Sequence, residues 1–131
     1  MVSFGAGCGS PVAYNPTVVG LPRIGTTVTY RGNSGFANSL AILGIGFSST
    51  SWNSVPLPTS LVPYGSAAGC VALNDIVINE VTIAGATGLA SFSVALPNNT
   101  AFLGFEYLSQ CYSFGPSNFR TSNAQRTIVG L

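Results

Sequence analysis

The sequence predicts an all-β protein, a single antiparallel β-sandwich over residues 1–131, jelly-roll or immunoglobulin-like, with about seven or eight strands and almost no helix. Three observations predict it. Several segments alternate apolar and polar residues with period two, and none carries the 3.6-residue period of an amphipathic helix. Turn-forming clusters of Gly, Pro, Asn and Ser recur at spacings of about ten residues. Only 5% of the residues are charged, with no Lys at all, so the Lys/Glu outer face on which long surface helices rely is missing.

The strands follow in order. In residues 27–31, Val28 and Tyr30 share one face while the Thr residues and Arg31 take the other. Residues 40–47 (LAILGIGF) are a continuous apolar run bounded by polar clusters. The run is too short for a stable buried helix and reads as a strand buried on both faces. Residues 48–69 differ, because Pro56, Pro58 and Pro63 cannot sit in a central strand; this stretch is expected to be a long connection between sheets or edges. Residues 76–84 alternate with a fault: Ile76 and Ile78 have one parity, Val81 and Ile83 the other. A bulge near Asn79-Glu80 would return both pairs to the core. Residues 90–96 alternate cleanly, with Ala90, Phe92, Val94 and Leu96 inward. A late strand is expected over 103–114, with Leu103, Phe105, Tyr107 and Cys111 on one parity, and a last one over 125–129.

Composition excludes several functions. Four Arg against three acids give a net charge of +1, which cannot supply the basic footprint of nucleic-acid binding. The absence of His removes the usual general base and most zinc or copper sites. The longest apolar run falls far short of the roughly 20 residues of a membrane-spanning helix, so no membrane span is expected. The first eight residues lack the basic start and apolar stretch of a signal peptide. Of a cytoplasmic protein and a mature segment preceded by a start Met, the second is favoured, because the surface must be coated by Ser, Thr and Asn rather than by charge.

Three Cys permit at most one intramolecular bridge. The pair most in need of a staple is Cys8, in a Gly-rich arm, with Cys70, at the end of the long connection; three reduced, buried thiols are the alternative. Cys111, on the Phe105/Tyr107 face, reads as a small buried hydrophobe.

An ordered set of short motifs covers nearly the whole chain. It comprises Gly5-Ala6-Gly7-Cys8-Gly9, Pro22-Arg23-Ile24-Gly25, the run 40–47, Leu57-Pro58 and Gly69-Cys70. It continues with Gly85-Ala86-Thr87-Gly88, Leu96-Pro97-Asn98-Asn99, Tyr107-Leu108-Ser109-Gln110 and the closing stretch 122–130 (SNAQRTIVG). Together they resemble a Gly-rich β domain found near the C-terminal ends of large secreted proteins of environmental bacteria. The resemblance implies an extracellular or cell-surface β domain and supports a Cys8–Cys70 bridge, since those are the two Cys of the family pattern. It implies no activity. Cys111 departs from the pattern, which has a small residue there, and so does a domain of this kind standing alone.

The chemistry available is narrow. Asp75, Glu80 and Glu106 are scattered and read as solvated or capping acids rather than as a glycosidase pair. Calcium on a lone Asp75 would be a weak site. A Ser or Cys nucleophile would have no His partner, so no catalytic residue, metal or cofactor is assigned. Trp52 lies in a polar loop beside Asn53, with Tyr64 further along. These three could stack on and hydrogen-bond a sugar ring, or Trp52 could plug one open end of the sandwich. Asn98-Asn99-Thr100 matches a glycosylation acceptor but reads as a plain turn. So few charges leave little to keep copies apart or to block strand addition at a sheet edge. The expected function is therefore a secreted, non-catalytic structural or adhesive module, acting as a homo-oligomer or docked in a larger extracellular assembly. A polysaccharide-binding module using Trp52, Asn53 and Tyr64 is the alternative.

Overall fold

The computed structural model describes residues 2–8 and 16–131. In chain order the strands are β1 (Val2–Phe4), β2 (Thr17–Val19), β3 (Thr27–Asn33), β4 (Leu40–Gly46), β5 (Ser51–Trp52) and β6 (Val55–Pro56). They continue with β7 (Thr59–Ser60), β8 (Val71–Ala72), β9 (Ile78–Ile83), β10 (Leu89–Ala95), β11 (Glu106–Phe114) and β12 (Phe119–Ile128). Eight of them build two antiparallel sheets, a five-stranded one in the order β1-β12-β11-β4-β9 and a three-stranded one in the order β10-β3-β2. The remaining four pair as two short ribbons, β5 with β6 and β7 with β8. Among the described residues the only helical elements are the single 3-10 turns Val62–Tyr64 and Thr100–Phe102. No helix is long and apolar enough to cross a membrane.

The alternating segments become the sandwich core as expected. β3 and β10 pair with Val28 opposite Val94 and Tyr30 opposite Phe92. Their inward side chains meet Ala41, Leu43 and Ile45 of β4 and Tyr107 and Cys111 of β11. Each fully buried side chain of this size adds about 2 kcal/mol of apolar stabilisation. The even positions of β4 point the other way: Ile42 packs with Trp52, Leu61 and Tyr112 in a second cluster, and Gly46 lies under Asp75 so closely that a Cβ there would strike its backbone and carboxylate. β4 is thus covered on both faces, which is why it reads as an unbroken apolar run.

The cover is the segment expected to be a bare connection. Its prolines keep it out of the sheets, but it folds into the two ribbons and a 3-10 turn laid against the outer face of the five-stranded sheet. Asp75 ties its far end down, Oδ1 accepting from the backbone N–H of Phe47 and Ser48 at 2.8 Å each.

Four expectations are corrected. β9 pairs with β4 in unbroken register from Ile45–Ile78 to Leu40–Ile83, with no bulge at Asn79-Glu80. As the last strand of its sheet, β9 leaves Ile78, Val81 and Ile83 exposed instead of returning them to the core. The irregularity lies in β12, where Gln110 pairs with Ala124 but Tyr112 with Thr121, so one extra residue is accommodated around Ser122-Asn123. Leu103 and Phe105 precede β11 and are exposed, because the Thr100–Phe102 turn, capped by Asn99 Oδ1 on the Ala101 N–H, and Gly104 at a positive φ occupy that stretch. The final strand begins at Phe119, six residues before the expected start.

Two devices fasten the cover and the N-terminal arm. Gln110, fully buried, accepts from the Leu73 N–H at 2.9 Å and the Tyr112 hydroxyl at 3.2 Å. Its amide nitrogen donates to the carbonyls of Val71 at 2.8 Å and Ser122 at 2.9 Å. Cys8 and Cys70 form a disulfide across a separation of 62 residues, as the resemblance implies, and Cys111 lies buried outside that bridge. The arm is not held by the disulfide alone: β1 pairs with β12, and the Cys8 N–H donates to Thr121 O at 3.0 Å.

Two stability outcomes follow from these fastenings. Reduction, or Cys70→Ser, lowers the unfolding free energy by about 4 kcal/mol on the chain-entropy model, measured by urea titration. Gln110→Ala orphans the Leu73 N–H, removes a donor from the Val71 and Ser122 carbonyls and costs about 3 kcal/mol, while Gln110→Glu, which keeps the acceptor and loses the donor, is also destabilising.

Candidate functional site

Trp52, Asn53 and Tyr64 come together. The β5–β6 ribbon places Trp52 and Val55, with Asn53 in the turn between them at a positive φ. The Val62–Tyr64 turn brings Tyr64 to the same place. These residues line a half-open cavity of about 470 Å³ between the cover and the outer face of the five-stranded sheet. Its deep surface is made by Ile42, Leu61, Ile76, Tyr112 and Phe119, and its rim by Asn53, Val55, Tyr64, Asn79 and Phe114.

Trp52 is half-buried against the outer cluster, so it covers that sheet face and does not plug an open end of the sandwich. Phe105 stacks edge-on with Phe47 and Phe102 at 5.7 and 5.9 Å between ring centres, around a smaller cavity of about 260 Å³.

The sequence does not single out the floor residues Tyr112 and Phe119 or the rim residue Phe114. Their signal is the second parity of β11: with Tyr107 and Cys111 facing the three-stranded sheet, Leu108, Gln110, Tyr112 and Phe114 must face the cover. Phe119 sits between Tyr112 and Phe114, with centroids 6.4 and 5.5 Å away.

The acids do not assemble. Asp75 is engaged by backbone N–H groups, and Glu106 pairs with Arg126 at 3.1 Å on the surface. Glu80 lies opposite Leu43, which pairs with Cys111. Glu106 is five residues further along β11, roughly 17 Å at strand rise, well beyond the roughly 5–9.5 Å of glycosidase carboxyl pairs. Among the described residues no three His, Cys, Asp or Glu side chains cluster.

A second surface stands at the sheet edge. Val77, Ile78, Val81 and Ile83 are 60, 48, 60 and 64% exposed. Antiparallel ladders alternate hydrogen-bonded with non-hydrogen-bonded pairs. Just past β9, the Ala84 N–H donates to Ser39 O at 2.8 Å, in step with the β9–β4 register. The even residues of β9 therefore bond toward β4, and Asn79, Val81 and Ile83 aim their N–H and C=O groups outward from the edge.

Comparison with protein-family models, with curated proteins and with solved structures found no match to this chain.

The perturbed titrating groups are two tyrosines. Burial, then the neighbouring Tyr30, pushes the Tyr107 phenol well above its ordinary range; its hydroxyl lies 2.9 Å from that of Tyr30, which also meets Thr127 Oγ1 at 3.1 Å. Burial alone raises Tyr112. Both folded-state values lie above the unfolded value near 10, so the stability they contribute is present below about pH 10 and lost as pH rises beyond it. Urea midpoints are expected to be flat from about pH 7 to 9 and to fall above about pH 10. The fall is shallower in Tyr112→Phe, whose only lost hydrogen bond is the one to Gln110.

Proposed function

We propose that this chain is a secreted, non-catalytic association module, and that it joins a second copy of itself through the free edge of β9. The observation that carries the reading is the edge itself: an apolar, unpaired strand whose outward backbone groups at 79, 81 and 83 are symmetric about Val81. Natural sheet edges are normally blocked by Lys, Pro or a bulge, and β9 carries none of these. An antiparallel copy centred on Val81 pairs Asn79 with Ile83 in both directions and Val81 with itself, using all three outward positions. In that register Glu80 faces Thr82 of the copy and not another Glu80, so no like charges oppose. The scarcity of charge over the whole chain removes long-range repulsion between copies. The Cys8–Cys70 disulfide and the resemblance to Gly-rich β domains of secreted proteins support an extracellular setting.

The convergence of Trp52, Asn53 and Tyr64 on one cavity favours a second activity, ligand binding, at a site that adjoins the β9 edge through Asn79.

Light scattering over a concentration series tests the association. Wild type is expected to dimerise or assemble further. Val81→Pro removes an outward donor without touching the β4 ladder, and Val81→Lys places a gatekeeper charge on the edge. Each is expected to weaken association by about tenfold or more, with the far-UV circular dichroism unchanged. A wild type that is monomeric at every concentration overturns the reading. An assembly indifferent to both variants places the contact elsewhere and overturns the role of β9.

A further inference from the structure

We infer that the cavity under Trp52 is a binding site for a neutral, largely apolar small molecule carrying a flat ring, and not for a sugar. Its volume of about 470 Å³ falls within the roughly 300–1,000 Å³ of small-molecule sites. It is half-open, so a ligand can enter without unfolding the cover. No Arg, Asp or Glu lines it among the described residues, so neither an anionic nor a cationic ligand finds a counter-charge.

The polar groups of the deep surface decide the class. The Tyr112 hydroxyl already donates to Gln110 Oε1, and burial keeps that phenol protonated. The Gln110 amide beneath it is saturated by Leu73, Val71 and Ser122. The rest of the floor is Ile42, Leu61, Ile76 and Phe119. The Tyr112 oxygen can still accept one hydrogen bond, but a sugar pushed against this surface would bury its remaining hydroxyls with no partner, which is unfavourable for each of them. A ring has the opposite experience. Trp52 approaches from the cover, while Tyr112 and Phe119 supply tilted aromatic faces from the sheet; flat apolar groups pack well in such offset arrangements.

The rim adds orientation. Asn53, Thr59, Asn79 and the exposed Tyr64 are the available hydrogen-bonding side chains, all toward the mouth. One polar substituent on the ligand, left at the entrance, would meet them while the ring goes inward. Asn53 and Tyr64, read from the sequence as sugar-binding groups, thus become the polar lip of an apolar site.

Trp52 is the only tryptophan of the chain, so its emission reports occupancy directly. The test titrates three probes by calorimetry and Trp52 emission: 2-naphthol, its anionic relative 2-naphthoate, and cellohexaose. The expected result is saturable one-to-one binding of 2-naphthol, binding of 2-naphthoate weaker by about tenfold or more, and none of cellohexaose. Val55→Arg, a rim substitution at an exposed position, is expected to weaken 2-naphthol by about tenfold while leaving the unfolding midpoint unchanged. Trp52→Ala, read by calorimetry alone, is expected to do the same to binding. Absence of saturable 2-naphthol binding overturns the proposal. So does 2-naphthol binding insensitive to both variants, or equal affinity for 2-naphthoate. Cellohexaose binding abolished by Trp52→Ala overturns it in favour of a sugar site.

Discussion

The amide of Gln110 is the group on which the rest of this architecture depends. β4 and β11, at the middle of the five-stranded sheet, are covered on both faces, so polar groups there need partners within the protein, and this chain has almost no charge with which to supply them. One neutral side chain at the centre of β11 uses its amide to hold the cover at Val71 and Leu73, the neighbouring strand at Ser122, and the Tyr112 hydroxyl. If it were apolar, the backbone at the end of the cover would lie unpaired against the sheet. The cover could then neither close over β4 nor shape the cavity beneath Trp52.

The same economy runs through the whole interior. Tyr30, Tyr107 and Thr127 pool their hydroxyls between the sheets, and Ser34 and Ser113 do so at 2.6 Å near the other end. The bulge in β12 is satisfied locally, Ser122 Oγ accepting from the Cys111 N–H and donating to Asn123 O. Neutral networks of this kind tie specific atoms to specific partners without the desolvation cost of buried ions. Surface charge plays a small part: Arg126 meets Glu106 in the open, and Arg120 lies over the Phe36 ring at 4.4 Å.

The sandwich was legible where burial is one-sided. Val28, Tyr30, Ala90 and Phe92 announce themselves by strict alternation, and residues 40–46 by their lack of it, because β4 is covered on both sides. The first half of β12 was hidden, since Thr121, Ser122 and Asn123 look like loop residues. Thr121 and Ser122 are buried and hydrogen-bonded to Cys8, Cys111 and Gln110 through contacts that no local pattern encodes. β9 departs from its pattern for the converse reason: apolar alternation usually marks a core face, whereas Val81 and Ile83 sit on an edge where the sheet ends. Of the cavity, the rim was legible because Trp52, Asn53 and Tyr64 are near in sequence. Its floor comes from β4, β11 and β12, which only the tertiary fold brings beneath them.

The first strand lies on the last: Val2 is paired with Arg126, and Phe4 with Ala124. β12 is also the bridge between β1 and β11, and Thr121 seats Cys8 beside its disulfide partner. A chain emerging from the ribosome therefore cannot complete the five-stranded sheet until β12 has followed β11. Loop closure over such a span is slow compared with local pairing. Until then the β10-β3-β2 sheet and the β11-β4-β9 part of the larger sheet can pair, while β1 has no strand to lie on. β12 is thus the strand that seats Cys8 for its bond to Cys70, while Cys111 lies between the sheets, away from both.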